Sequence, residues 1–560
     1  MLKFLKFANR MRGKFESVSF EKSTAEPEKT QRRFLFDLLR ENAETLFGKA
    51  HGFDKIRDEK EFCRKIPIRG FEDFRPFINR IIAGEKQVLT ADEPVMLAMT
   101  SGTTDEPKFI PVTRKSQKLN SRLMRQWLYR AELDHAGLTA HSSVGIVSRA
   151  VEGFTASGLP FGSASGVIYK NIPRAIRRAY AVPYLVSEIE NYDERYFVLA
   201  RFAFPAQVSL IATPNPSTLL RLAKICAKNQ EKLIRAIYEG NLGIELENKK
   251  LERELSAMLA PDPKRAGFLS GIMEKKGFPH LADCWSDLKL IGCWLGGSVG
   301  AQACKLRGIF GDVPLRDLGF IASEGNMTLP FEDGTSAGIL ALENNFYEFM
   351  PEEESDSENP ASLLSNELEI GKRYGILITS AAGLYRYRLD DIVEVKSFYH
   401  QTPIISFVRK AGEMSNITGE KIHANHFLEA FEMARRKFDL KIEQFRAVPD
   451  YECLRYEIYV ELRSEFSPEK LLSEIDKNLQ KVNIEYKQKR QSSRLTAPRL
   501  HLMKRGWAEN NLRRHISGGK RDTQYKPQIL LAEPLDEDKS FISETFEMET
   551  PQVLFAGTYF

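Results

Sequence analysis

Thr100-Ser101-Gly102-Thr103-Thr104-Asp105-Glu106-Pro107-Lys108, running on through Phe109 to Thr113, is the segment whose residue types speak most directly of chemistry. Small hydroxylated residues let backbone N–H groups come close to a polyphosphate, Gly102 permits a tight loop, and Lys108 can set a positive charge against phosphoryl oxygens. That combination suits a loop that grips the phosphates of ATP. Its spacing is not the G-x-x-x-x-G-K-[ST] loop of common nucleotide hydrolases, so their mechanism does not transfer. Taken alone, the same run would also serve as an ordinary turn.

Three later segments carry complementary groups. Leu295-Gly296-Gly297-Ser298-Val299-Gly300 follows an apolar run, and its glycines would let the backbone around Gly297 and Ser298 approach a flat ligand such as adenine. A plain strand-to-helix turn is the competing reading. In Phe320-Ile321-Ala322-Ser323-Glu324-Gly325 the aromatic can stack on adenine, and Glu324, next to Ser323, can hold a magnesium ion that bridges phosphate oxygens. In Gly383 to Ile392, at the end of an expected hairpin, Asp391 can accept both hydrogen bonds of a ribose diol. Arg386 and Arg388 share a strand face by the period of two, to pair with that carboxylate or with phosphate, or to form a surface ladder.

An α/β body is expected to hold these groups. Gln31 to Gly48 has a helical period with Gly48 as its stop, and Val144–Val147, Val208–Ala212, Leu288–Leu295 and Ile376–Thr379 are short apolar runs of strand type. Thr213-Pro214-Asn215-Pro216-Ser217 ends one strand, with Ser217 as cap of the following helix. Glu352 to Pro360 reads as a solvated loop. Past Arg409 the pattern changes to a helix over His423–Lys437, a strand over Tyr456–Leu462 and a helix opening at Ser467-Pro468. The expected division is a large domain over 1–408 and a smaller α+β domain over 409–560.

Composition narrows the function classes. The 560 residues are 42% hydrophobic, enough for a large core, and 81 basic against 76 acidic residues leave a net charge of +5. That balance does not imply a nucleic-acid groove, and Lys487 to Arg490 with Arg513-Arg514, stretches that could touch RNA, read rather as solvated faces. Six cysteines without a C-x-x-C pair suggest reduced thiols and a cytoplasmic setting. No apolar run reaches the roughly 18 to 20 residues of a bilayer span. Met1 to Phe7 is basic and apolar, interrupted too soon by Asn9, Arg10, Arg12 and Lys14 for a signal peptide. It predicts a helix that docks on the protein's own body, although such a composition also suits a membrane-surface helix. His423 and His426, three apart, lack a third ligand, and no zinc is expected.

In order and spacing the segments resemble the acyl-acid amido synthetases of the auxin-responsive-promoter (Gretchen Hagen) family, a branch of the adenylate-forming superfamily. The similarity starts at Gln31 and includes Thr45 to Phe53, Ile66-Pro67-Ile68 with Phe71-Glu72-Asp73, and Ala83-Gly84-Glu85. It continues through the T-S-G-T-T-x-x-P-K loop, Pro214 to Ser217, Gly296-Gly297-Ser298, Ala322-Ser323-Glu324 and Tyr385 to Asp391, ending at Gln524-Tyr525-Lys526-Pro527. The resemblance implies the luciferase-like adenylate-forming fold with a mobile C-terminal domain.

Residue by residue, it places Ser101, Gly102, Thr103, Thr104 and Lys108 on the phosphate loop, beside Thr100, with Phe320 facing adenine, Glu324 on the metal and Asp391 on the ribose. Arg409 falls where relatives pivot the C-terminal domain, and Lys526 on the lysine that stabilises charge on the attacking carboxylate and the α-phosphate. The chain departs from the pattern with Phe320 for tyrosine, Asp390 for a glycine, and no arginine after Pro527; Lys520, after two glycines, is a rival for Lys526, and Asp390 for Asp391. ATP and Mg2+ are the implied cofactors, and a small carboxylic acid and an amine, expected to be an amino acid, the implied substrates. A carboxylate meets an anionic phosphate only once cations offset their repulsion, which is the part these groups would play. Coenzyme A as acceptor, and a non-catalytic sensor of nucleotide or carboxylate, are the alternatives. An apolar acyl pocket is expected among Val144, Ile146, Phe154, Leu159 and Phe161; neither acid nor acceptor is named by the sequence, nor is the oligomeric state.

Overall fold

Short β-branched runs alternate with amphipathic helices through the first half of the chain, and a parallel sheet is the fold's response. Val208–Ala212 lies between Ser142–Gly145 and Leu290–Gly292, with Leu315–Arg316 outermost, each pair parallel. Tyr192–Ala203, Pro216–Lys228 and Gly297–Phe310 are helices packed with these strands in one apolar core. The structure, a computed structural model, describes residues 2–100, 108–172, 174–276, 281–354, 357, 360–410, 414–415, 417–418, 420, 422–491, 495–518, 522 and 525–548, and not the side chains of 2–9, 100, 174–175, 275–276, 298–299 and 301–302.

The described chain divides into two compact units, Met1–Val408 and Arg409–Phe560. Beside the parallel sheet, the first unit has a six-stranded antiparallel sheet in the order Thr328–Leu329, Gly338–Leu340, Thr402–Lys410, Tyr387–Tyr399, Arg373–Ser380, Asn345–Pro351. A smaller sheet sets Pro94–Thr100 against Lys108–Thr113, with Thr100 opposite Lys108, and continues through Pro160–Gly162 to Gly153–Phe154. The second unit is a four-stranded sheet, Ile442–Asp450, Arg455–Leu462, Arg499–Met503 and Ile542–Glu547, covered by helices Ala424–Phe438 and Pro468–Val482 around Phe427, Phe431, Tyr456 and Ile475.

Several local expectations are corrected. The helix read from Gln31 begins at Pro27 and stops at Glu41, because Asn42 and Thr45 turn their side chains onto the backbone: Asn42 Nδ2 donates to Leu38 O at 2.8 Å and Thr45 Oγ1 to Asn42 O at 2.7 Å. Gly48 then lies inside a short helix, Leu46–His51, whose stop is Gly52. Asn215, not Ser217, caps Pro216–Lys228, its side chain accepting from the Ser217 N–H at 3.0 Å. Val144 and Ile146 belong to the core beneath the helices, and Phe154 is 67% exposed, so these three do not line an enclosed pocket.

The arginines of the basic runs are paired locally. Arg490 bonds Asp476 at 2.8 and 3.1 Å, Arg513 pairs with Glu509 and Arg514 with Glu537, each at 2.8 Å. Among the described residues, no helix is long and apolar enough to cross a membrane.

Candidate active site

The parallel sheet delivers the glycine turn. After Leu290–Gly292 the chain passes Leu295 and enters the helix at Gly297, whose φ is +60° and whose absent Cβ would stand 2.8 Å from Phe407 Cε1. Only glycine fits that backbone and that contact without strain. The same Phe407 ring lies 5.7 Å from Phe320, so the turn and the expected adenine-facing aromatic share one neighbour. The Ser298 side chain lies outside the described residues.

A carboxylate missed in the sequence ties these two pieces together. Asp317 is buried, with one oxygen accepting from the Leu295 N–H and the other from the Gly319 N–H, both at 2.6 Å, while its carbonyl accepts from the Trp127 indole at 2.7 Å. Burial pushes its carboxyl up to about 7, and the two N–H donors oppose that rise. A raised carboxyl pKa favours folding below the unfolded value near 4, and that contribution is lost as pH climbs towards 7. The stability of the native chain relative to an Asp317→Asn variant is therefore expected to fall between about pH 4 and 7 and to level above it. Urea midpoints measured across that range check this, and a difference that does not change with pH refutes it.

A two-stranded hairpin, Ile321–Ala322 with Gly325–Asn326, carries Ser323 and Glu324 on its turn. Glu324 Oε1 accepts from the Tyr387 hydroxyl at 3.3 Å. Burial first, then Glu324, raises the Tyr387 phenol, with Asp390 and Asp391 adding to it. Tyr387 packs on Phe74, at 5.9 Å, and Lys108 Nζ lies 5.4 Å from the Phe71 ring one turn earlier on the helix Phe71–Ile82. Ser101 to Thr104, Gly102 among them, and Lys520 lie outside the described residues, as does the Thr100 side chain.

The paired aspartates fall inside the strand rather than at a hairpin end. Arg373–Ser380 and Tyr387–Tyr399 pair Gly375 with Ile392 and Leu377 with Arg388, which leaves a bulge holding Leu389, Asp390 and Asp391. Asp390 takes the left-handed conformation, φ +55°, one that aspartate tolerates better than most side chains, and turns outward to Arg388 at 3.0 Å. Asp391 is buried. The bulge thus separates the two carboxylates, one facing water and one facing in.

Arg386 does not join Arg388 on a face. It precedes the strand with φ +49° and is buried against Glu348, its Nε 3.0 Å from both oxygens and its Nη2 2.8 Å from Oε1; Nη1 donates to the carbonyls of Cys63 and, at 2.7 Å, Ile66. Glu348 is a single charge inside the apolar strand Asn345–Pro351, a pattern that signals a buried partner.

In the second unit, Arg409 is buried near the end of Thr402–Lys410. Lys526 is exposed on a segment pinned at both ends: the buried Tyr525 donates its hydroxyl to Gln444 Oε1 at 3.1 Å, and Ala447 N–H donates to Ile529 O at 2.7 Å. His423 and His426 form a helix cap, the His423 N–H donating to His426 Nδ1 at 3.0 Å.

Comparison with known proteins meets this geometry over almost the whole length. Residues 17–315 match the GH3 family N-terminal domain, 338–410 its central domain and 425–534 its C-terminal domain. The chain belongs to the GH3 family. Among GH3 relatives, it is 25% identical to the jasmonoyl-L-amino acid synthetase JAR4 of Nicotiana attenuata, over 90% of this chain and 92% of that one. It is also 25% identical to the indole-3-acetic acid-amido synthetase GH3.2 of Arabidopsis thaliana, over 81% and 88%. The solved structure of a GH3.15 acyl acid amido synthetase superposes with a TM-score of 0.82 at 20% identity, covering 94% and 95% of the two chains. The GH3 chain therefore has the fold of that acyl acid amido synthetase, a large α/β unit followed by a C-terminal one.

Proposed function

We propose that this GH3 chain activates a small organic carboxylate with ATP, releases pyrophosphate, and joins the acyl group to the amine of an amino acid. It is an amide-forming ligase of the adenylate-forming class. The observation that carries the reading is a match to the GH3 family through all three of its domains and to amido synthetases along most of the chain, joined to a hairpin glutamate that accepts from the Tyr387 hydroxyl on the strand that also carries the buried Asp391.

In this reading Phe320, beside Phe407, offers a ring face to adenine; Gly297 and Ser298 border it, and Asp391 accepts the ribose hydroxyls. The loop from Thr100 through Ser101, Gly102, Thr103 and Thr104 to Lys108 holds the phosphates. Glu324 would hold Mg2+ through its hard carboxylate oxygen, and the ion would offset negative charge on the phosphates. Ser323 helps shape that turn. Lys526, on the smaller domain 409–560, stabilises the charge that builds as the carboxylate attacks the α-phosphate, and Arg409 marks the pivot from the adenylating domain 1–408.

Carboxylate-dependent exchange of labelled pyrophosphate into ATP tests the first half. A protein that senses nucleotide without reacting gives no exchange. Supplying amino acids or coenzyme A and analysing products by mass spectrometry tests the second half: an amide supports the proposal, a thioester overturns its acceptor. Glu324→Gln is expected to raise the Mg2+ concentration for half-maximal exchange by more than about tenfold, the loss typical of a partner in a metal site. An unchanged titration would remove Glu324 from that role.

A further inference from the structure

The helix Leu2–Ala25 applies one of its sides to the protein and leaves another in water. Gly13, Ser17, Phe20 and Thr24 recur at helical spacing and are buried. A Cβ on Gly13 would stand 2.8 Å from Tyr129 Cβ, so the backbone lies close on the helix Arg114–Asp134. Both carboxylates of the N-terminal helix are engaged on that flank: Glu16 with Arg125 at 2.7 Å and Arg12 at 3.0 Å, Glu21 with Arg130 and, at 2.8 Å, the Tyr399 hydroxyl.

Across the helix, Phe15 is 71% exposed and Val18 49%. The 3.6-residue period assigns the half-buried Met11 to the same side. Arg10, Arg12, Lys14 and Lys22 are exposed around them, and residues 1–15 contain Lys3, Lys6, Arg10, Arg12 and Lys14 with no acidic residue. The short helix Arg174–Arg177 lies alongside, with Ile176 and Arg178 exposed.

Exposed apolar groups flanked by cations, with both carboxylates of the helix already ion-paired, match the requirements of an anionic lipid surface: the Phe15 ring enters the boundary between headgroups and acyl chains, and Lys and Arg meet lipid phosphates. A second copy of the chain set face to face would oppose like charges. We propose that this face docks the protein reversibly on bilayers that contain anionic phospholipid. The proposal is independent of the catalytic reading.

Sedimentation of the full-length protein with vesicles of phosphatidylcholine, with and without phosphatidylglycerol, is the test. Binding is expected on the anionic vesicles alone and is expected to weaken as salt rises. Replacing Lys14 by Ala should lower partitioning about fivefold, the usual share of one basic residue at such a surface. Phe15→Asp should lose most binding while its urea midpoint and pyrophosphate exchange stay at native values. Absence of binding to anionic vesicles, native binding by Phe15→Asp, or a lipid-free dimer that Phe15→Asp dissolves would each overturn the proposal.

Discussion

Lys526→Ala is expected to slow acyl-adenylate formation by about 10²- to 10³-fold, the usual cost of one preorganised charge contact in a transition state. The expectation rests on where the lysine is carried. Tyr525 is buried and bonded to Gln444, and Ile529 is held by Ala447, so the backbone on either side of Lys526 is tied to the sheet of its own unit while its side chain is exposed. A transition-state role predicts that kcat falls while the affinity for ATP changes little. Pyrophosphate exchange at saturating ATP measures this. Native exchange in Lys526→Ala, with a collapse in Lys520→Ala instead, would move the role to the rival lysine.

Arg386→Met should cost the first unit about 3 to 5 kcal/mol, because it strands Glu348 as a buried charge. The two side chains are 6% and 1% exposed, and the guanidinium also satisfies the Cys63 and Ile66 carbonyls. Cys63 senses this carboxylate: burial first and then Glu348 drive its thiol upward, and Arg386 opposes them. Replacing both charges, by Glu348→Gln with Arg386→Met, should recover much of the loss, since a neutral pair removes the stranded charge. The urea midpoint of the single and double variants gives the answer. A loss under about 1 kcal/mol, the range of a solvent-screened pair, would mean that water reaches Glu348.

The phosphate-loop residues, the glycine turn, Phe320, Glu324 and Asp391 stood out as candidates because each is an unusual residue type at a fixed offset from a strand or a turn; the matched family domains cover the loop, the turn and Asp391, while Phe320 and Glu324 fall between the first two. Their roles remain proposals. The alternation of strands and helices was legible for the same local reason, since Val208–Ala212 and Ser467-Pro468 announce themselves by period and cap. Arg386 was misread: period two set it beside Arg388, but its left-handed backbone turns it away from the strand pattern. Asp317 was not singled out, although its place three residues before Phe320 was the available clue.

The amino-acid order by itself determined the local elements, the chemistry on offer and the family, because propensity, capping and motif spacing act over a few residues. Tertiary structure alone decided that Asp390 faces water and Asp391 the interior, that Glu348 is answered by Arg386, and that Asp317 joins two loops. Each depends on groups brought together from distant positions or on a bulge in strand pairing, and burial converts such meetings into energies that spacing along the chain does not encode.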